Sequence, residues 1–491
     1  MDVYVSGQSD QGIRPMKASN KAPKAAEVLE ERLRAKGNFV GSAPAVALYT
    51  GKGSIGLSEI RKAAERDREI RFTSLMHHIT VDLLWDACKA LKRNAAPGID
   101  DMTWKEYEEV MEEKIPDLHR RLHSGTYRAK PSKRIYLPKP DGRKRPIGIA
   151  SLEDKVVQQA TVWILNGIYE VDFANFSYGF RPGRSQHNAL DAVWSGISYR
   201  KVCWVIDADI KGFFDNIRHD VLMEFLEKRI ADKRILRLIR KWLRAGVSDD
   251  GEWSKTELGT PQGAVISPLL GNIYLHYGLD QWVKEWRRTQ TKGDMIFVRY
   301  ADDSVAGLQY RHEATTFLEA FKLRMKEIGL ELHGEKTRLI EFGRFAARDR
   351  KMRGDRKPET FDFLGFTHIC SLTRKNRKFC ITRKTISKKM KSKLSEIRKD
   401  LMASRHDSIH SVGKRLRSII LGYYNYHSVP GNGKSMSAFQ YHISRAWLQA
   451  LRRRSQKGQN MTWAKFSRYL KMWIPTPRVV HPYPNERLFV K

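Results

Sequence analysis

Cysteine is scarce in this chain. Four occur in 491 residues (Cys88, Cys203, Cys370 and Cys380), and no two have the C-x-x-C spacing. That excludes a disulfide framework and a cysteine-based zinc module. Long apolar runs are missing too: no stretch reaches the roughly 18 residues a membrane-spanning helix needs. The opening residues, Met1 to Gly12, are polar and lack the apolar centre of a signal peptide, so a cytoplasmic location is expected. Acidic residues are in deficit, 55 against 90 Lys and Arg, a formal net charge of +35. Such an excess opposes compaction unless a polyanion neutralises it, which points to nucleic acid. An anionic membrane is the rival partner. No single amphipathic anchor carries the charge, so no membrane partner is expected.

What is present suits a globular protein. Hydrophobic residues make up 41% of the chain, and the length predicts about three domains. Residues 1–55 are rich in Gly, Ser, Ala and Lys with little periodicity, and read as a mobile leader. Helical patterns follow around Ile60 and around Leu83, and another runs from Trp104 to about Leu122, kinked by Pro116. A basic hairpin is expected over 134–149, its Pro-Asp-Gly turn ringed by Lys139, Arg143, Lys144 and Arg145. Such a cluster reads as a solvated surface or as a clamp for a triphosphate.

Residues 201–210 form the continuous apolar run of a central strand ending in acids. A long amphipathic helix is expected from Val221 to Arg244, stopped by Gly246. Ser267-Pro268 reads as the cap and start of the next helix, and 330–342 as a β-hairpin carrying Lys336. Beyond about Thr373 the composition turns strongly basic, and helical patterns dominate.

Between the helix that starts at Ser267-Pro268 and residues 330–342 lies Phe297-Val-Arg-Tyr-Ala-Asp-Asp-Ser-Val-Ala-Gly307. Its apolar half-strands flank Asp302 and Asp303, the pattern of a hairpin with acids at its turn. Asp-Asp in a turn is ordinary by itself. Adjacent carboxylates also repel each other and call for a cation opposite. A two-metal site needs carboxylates from separate elements. Asp209, at the end of the buried strand, supplies one if the strands are neighbours. One strand, two helices and a hairpin in one sheet make the split βαβ, ferredoxin-like layout.

Tyr300-Ala-Asp-Asp303, Asp209-Ile-Lys-Gly-Phe-Phe-Asp215 and Thr260-Pro-Gln-Gly263 together resemble a reverse transcriptase. More narrowly, the chain resembles the reverse transcriptase–maturases of bacterial group II introns. Ala96-Pro-Gly-Ile-Asp100, Leu137-Pro-Lys139, Arg145-Pro-Ile-Gly148, Tyr178-Gly-Phe-Arg-Pro182, Lys336, Phe363-Leu-Gly-Phe366 and Gly422-Tyr-Tyr-Asn-Tyr-His427 carry the likeness in the family's order.

The resemblance implies an α+β, right-hand polymerase with fingers and a ferredoxin-like palm, followed by an α-helical thumb/maturase domain. The fingers and palm would span 56–370, the thumb 371–460 and a basic tail 461–491. Two Mg²⁺ ions, with Mn²⁺ an alternative, would sit on Asp209, Asp302 and the Ile210 carbonyl, with Asp303 in support. Lys139 and Arg145 would grip the triphosphate, Gln262 the nucleotide and template, and Phe214 would act as the steric gate against ribose. Lys336 would serve the leaving pyrophosphate.

The resemblance further makes Phe363, Leu364, Gly365 and Phe366 the primer grip. Lys384, Lys388, Lys389, Lys391 and Arg452, Arg453, Arg454 read as RNA-contacting surface. Expected partners are group II intron RNA, an RNA template with DNA primer, dNTPs and target DNA. Polymerisation, splicing assistance and mobility by target-primed reverse transcription are the implied activities. The paired Cys and His spacing of a nuclease domain, common in the family, is not found, so no nuclease domain is expected. Two other readings remain: an RNA-binding splicing cofactor without polymerase activity, and a domesticated reverse transcriptase in phage defence.

Overall fold

The computed structural model describes residues 54–138, 144–249, 251–373 and 375–488. Nearly all of the expected leader, together with Lys139, Arg143 and Arg374, lies outside the described residues. The described strands are β1 (Ser132–Pro138), β2 (Lys144–Ile149), β3 (Trp204–Asp209), β4 (Val247–Asp249), β5 (Glu252–Ser254) and β6 (Met295–Tyr300). They continue with β7 (Asp303–Leu308), β8 (Arg338–Glu341), β9 (Phe361–Phe363), β10 (Phe366–Leu372) and β11 (Phe379–Thr385).

The sheet that organises the molecule has the order β6-β7-β3-β8, antiparallel throughout. In chain order it reads strand, helices, hairpin, helix, strand, which is the ferredoxin-like arrangement. Both faces are covered. Ile206, Phe297 and Ala306 pack with Phe317, Phe321 and Met325 of the helix Arg311–Glu327. Val205, Ile296, Val298 and Val305 pack with Leu190, Val193 and Ile197 of the helix Gln186–Tyr199. Double coverage is why the strands read as continuous apolar runs instead of alternating.

A second sheet, β2-β1-β4-β5, holds the basic hairpin. The helix Leu152–Asp172 follows it, with most of its residues buried. Ser151 caps its start by accepting from the Asp154 amide, and Val156, Val157, Ile164 and Ile168 are sealed from solvent. The third sheet, β11-β10-β9, leads into the helices Ser387–Ala403, Ile409–His427, Gly433–Arg452 and Trp463–Trp473. Those helices close around Leu416, Ile420, Phe439, Ile443, Trp447 and Phe466. A buried ion pair, Arg383 to Asp191 at 2.8 Å, ties β11 to the helix Gln186–Tyr199.

Four sequence expectations need correction. The helix foreseen from Val221 to Arg244 is two, His219–Glu227 and Lys233–Arg244. Asp232 interrupts it because its carboxylate accepts from the amides of Leu75, Met76 and Arg234, bonds a helical interior residue could not make. The helix from Trp104 breaks at Val110, whereas Pro116 lies inside the second piece, Met111–His123. Ser267 does not cap its helix; it is the first helical residue and donates to the Pro261 carbonyl. Residues 330–342 do not pair with each other. Leu332 bridges Ile210 and β8 pairs with β3, so both arms extend the same central strand. The expected division at 370/371 falls between two residues of β10. Among the described residues no helix is long and apolar enough to cross a membrane.

Candidate active site

Antiparallel pairing of β3 with β7 sets Asp209 directly opposite Asp303. Pairing of β6 with β7 ends at Tyr300–Asp303, leaving Ala301 and Asp302 as a two-residue turn. Ala301 has φ of 56°, a left-handed conformation that a side chain disfavours. The surroundings hold it there. Arg299, fully buried on β6, donates to the Ala301 carbonyl at 3.1 Å and to the Asn272 side chain at 3.2 Å. The same guanidinium grips both oxygens of buried Asp280, at 2.8 and 2.6 Å. Asp280 ends a single π-helical turn, His276–Asp280, between two α-helical pieces. Asn272 in turn donates to the Gly179 carbonyl at 2.7 Å. Gly179 lies so close that a Cβ there would sit 2.4 Å from the Ala301 amide nitrogen.

This scaffold was not legible in the sequence reading. Arg299 passed as a strand residue, and Tyr178-Gly-Phe-Arg-Pro182 as a basic loop. Arg181 is no surface charge: it is buried and donates to Glu170 and to the carbonyls of Ala174 and Ser177.

The carboxylates share one face. Asp207 and Asp209 alternate with Ala208 on β3, and Asp303 faces them where the apolar cover of that face gives out. Burial, then the charges of Asp302, Asp209 and Asp207, push Asp303 up to about 7. Burial likewise raises Asp302, with Asp209 adding and Arg145 and Lys336 opposing. Asp207 is pushed up to about 7, chiefly by burial, with Arg338 opposing and Asp362 and Asp209 adding. Asp207 is an acid beyond those expected, and its i, i+2 spacing from Asp209 on a strand is the signal in the sequence that places it there.

Lys336 follows the Leu332 bridge, and its Nζ lies 2.5 Å from Asp209 Oδ2. The bridge uses the Asp209 carbonyl and the Lys211 amide, so the Ile210 carbonyl takes no part in it. Among the described residues no three His, Cys, Asp or Glu close into a metal cage. The donor set nevertheless fits a hard divalent cation. Mutually repelling carboxylates suit such a cation, which binds through carboxylate oxygens together with substrate phosphates.

Beside the acids lies a polar chain. Arg145 on β2 donates through Nε to Gln262 Oε1 at 2.9 Å, and Gln262 Nε2 donates to both Asp215 oxygens at 2.8 and 3.0 Å. Thus two of the three expected polar nucleotide-binding residues meet, while Lys139 lies outside the described residues. The Phe214 ring is half-buried against Gly271, where a Cβ would come within 3.0 Å of it. Phe180 meets it edge-on at 6.5 Å, and the Phe180 ring lies 6.3 Å from that of Tyr300. Phe180 is 52% exposed with φ of 55°, a large ring held out on strained backbone.

The remaining expected residues lie elsewhere. Phe363 and Phe366 turn their rings into the core, leaving Leu364 and Gly365 as a tight turn with φ of 45° and 82°. Of the four residues expected as the primer grip, Leu364 and Gly365 thus form the turn, and the Leu364 carbonyl accepts from Tyr426 Oη at 2.7 Å. Lys384, Lys388, Lys389 and Lys391 are exposed, as are Arg452 and Arg453. Arg454 is half-buried and donates to the Asp407 carbonyl. None of these joins the carboxylate cluster.

Residues 137–368 match the family described as reverse transcriptase (RNA-dependent DNA polymerase). The chain is similar to the group II intron-encoded protein LtrA of Lactococcus lactis subsp. cremoris, 37% identical over 46% of this chain and 38% of LtrA. It is 34% identical to protein YkfC of Escherichia coli (strain K12), over 49% of this chain and 72% of YkfC. An uncharacterized 91 kDa protein in the cob intron of Schizosaccharomyces pombe is 33% identical, over 47% of this chain and 29% of that protein. The chain thus spans well under half the length of two of these relatives.

Proposed function

This chain belongs to the reverse transcriptase family, among the group II intron reverse transcriptase–maturases, and from that premise we propose that it is an RNA-directed DNA polymerase that also binds its intron RNA, promoting splicing and supporting mobility at a target DNA by target-primed reverse transcription. The observation that carries the polymerase reading is the β3/β7 register, which sets Asp209 against Asp303 beside Asp302, with Lys336 paired to Asp209 and the charge of Arg145 acting on Asp302.

In this reading the ferredoxin-like sheet is the palm, the β1/β2 hairpin belongs to the fingers, and the helices after β11 are the thumb. Asp209 and Asp302 hold the divalent cations, Mg²⁺ by donor chemistry, with the Ile210 carbonyl as a further ligand and Asp303 in support. When bound, such cations lower the pKa of the primer 3′-hydroxyl and neutralise charge on the leaving pyrophosphate. Arg145 offers its planar fork to the triphosphate of a dNTP, joined by Lys139. Gln262, hydrogen-bonded to both Arg145 and Asp215, sets the height of the nucleotide above the acids. Phe214 closes the space a ribose 2′-hydroxyl would need. Lys336 carries a proton next to Asp209 and donates it to the departing phosphate.

Primer extension on an RNA template with Mg²⁺ and dNTPs tests the assignment. Asp302→Ala should abolish synthesis and leave RNA binding and splicing assistance largely intact. Wild-type extension by that variant would overturn the site. A wild-type protein that promotes splicing but extends no primer would leave only the splicing-cofactor reading.

A further inference from the structure

From Ser408 to Asn485 the chain carries 13 Lys and Arg and not one Asp or Glu. Within this acid-free stretch, the helix Gly433–Arg452 and the start of the helix Trp463–Trp473 enclose a groove of about 210 Å³. Its lining is Tyr441, Arg445, Leu448, Gln449, Arg452 and Trp463. It shares no residue with the carboxylate site. The volume is below that of a drug-sized pocket and suits one flat ring.

Both aromatic residues are open, and Trp463 is braced from behind. Tyr441 is 52% exposed and Trp463 44%. Trp463 meets buried Phe466 edge-on at 5.8 Å, and Phe466 meets buried Trp447 in the same way at 5.3 Å. The Arg452 Nε donates to the Met461 carbonyl at 2.9 Å, pinning the backbone two residues before Trp463 to the longer helix. Arg445, one turn after Tyr441, holds its guanidinium 5.8 Å from the tyrosine ring centre. Leu448 makes an apolar floor, and the Gln449 amide, exposed beside it, can both donate and accept. Among the described residues, neither Arg445 nor Arg452 forms an ion pair with a carboxylate.

We propose that this groove binds an unpaired nucleotide of single-stranded RNA, its base stacked on Tyr441 and Trp463 and its phosphates met by Arg445 and Arg452. The rings supply sequence-tolerant stacking, which only an unpaired base can take up, and arginines without a carboxylate partner supply phosphate neutralisation, which single strand and duplex share. An acidic protein segment would satisfy the arginines and leave two exposed rings without a flat partner. The proposal rests on the RNA-binding part of the proposed function and adds a site to it.

The test uses the full-length protein, a short uridine-rich single-stranded RNA, a DNA strand of the same sequence and an RNA duplex of equal length, each titrated over a range of salt. Tyr441→Ala and Trp463→Ala should each weaken single-strand binding by roughly five- to a hundredfold, from the worth of one stacked base. Neither should change the salt slope or duplex binding, and Tyr441→Phe and Trp463→Phe should restore affinity. Arg445→Gln should reduce the salt slope by about one, the signature of a lost phosphate contact. RNA with 5-bromouridine, photocrosslinked to the wild-type protein, should map to Tyr441 or Trp463, a readout independent of any variant's folding. Equal loss on single strand and duplex, unchanged affinity in the alanine variants, or crosslinks confined to other segments would each overturn the site. Unchanged RNA affinity is also what an acidic protein partner predicts. Preference for the DNA strand would reassign the groove to target or product DNA and overturn it as an RNA site. Primer extension by the same preparations judges the polymerase reading separately, since none of these residues lies near the acids.

Discussion

Arg299 and Asp280 form a two-pronged ion pair with both side chains fully buried, one residue behind the acidic turn they support. The guanidinium also holds the Ala301 carbonyl, so the pair fixes the backbone that presents Asp302. Breaking it strands a buried charge. Asp280→Asn should therefore cost about 3 kcal/mol of stability, read as a lowered midpoint in urea, and should reduce primer extension further than the unfolded fraction explains. A loss of extension that tracks unfolding alone would reduce the pair to a packing element.

Gly179 tests the same turn sterically. Its added Cβ would meet the Ala301 amide at 2.4 Å and the Tyr300 carbonyl carbon at 3.0 Å. Backbone must move to admit it, so Gly179→Ala should lower extension at least tenfold, by the sensitivity of catalysis to misplacement of about 1 Å. Gly183→Ala is the control. Nothing lies within 4 Å of its Cβ, and only its φ of 70° is strained. That change should cost about 1 kcal/mol in a thermal melt and leave extension unaltered.

Phe180 occupies left-handed backbone while half its ring is exposed. Phe180→Gly removes the strain together with the ring, so the melting temperature should hold or rise slightly. The KM for dNTPs should rise several-fold, because Phe214 loses the ring that limits its swing. A clear fall in melting temperature would show instead that the ring serves packing.

Asp303 has its own pH signature. In the folded chain it takes up a proton near pH 7, against about 4 when unfolded. Between those values the folded state binds the extra proton, so its contribution to stability falls as pH rises through this window. Asp303→Asn removes the buried charge. Without divalent cation the variant should melt above wild type at pH 8, with the gap narrowing as pH falls to 5. A gap that is constant with pH would mean that Asp303 ionises normally.

Much of the site could be read from local chemistry. Asp209 closes an apolar strand, Asp302 and Asp303 sit between two short strands, and Arg145 stands beside a Pro-Asp-Gly turn. Each is a contiguous pattern, and each lies in the element expected. The errors share a cause. Asp232, Ser267 and residues 330–342 were assigned from sequence neighbours, whereas their partners are Leu75 and Met76, Pro261 and Ile210. That the Phe363 and Phe366 rings are buried while Leu364 and Gly365 make the turn is likewise set by the folded chain, because periodicity cannot say which face of a short hairpin is covered.

By itself, then, the sequence determined the reverse transcriptase motifs, the acids and their flanking strands, the cationic surplus and the helical character of the C-terminal third, since these depend on residue type and short-range spacing. Only the tertiary structure decided that Asp207 joins the acids, that Arg299, Asp280, Asn272 and Gly179 brace their turn, and that Tyr441 and Trp463 share a groove. Those relationships join residues distant in sequence through burial and strand register, and neither quantity is defined until the chain has folded.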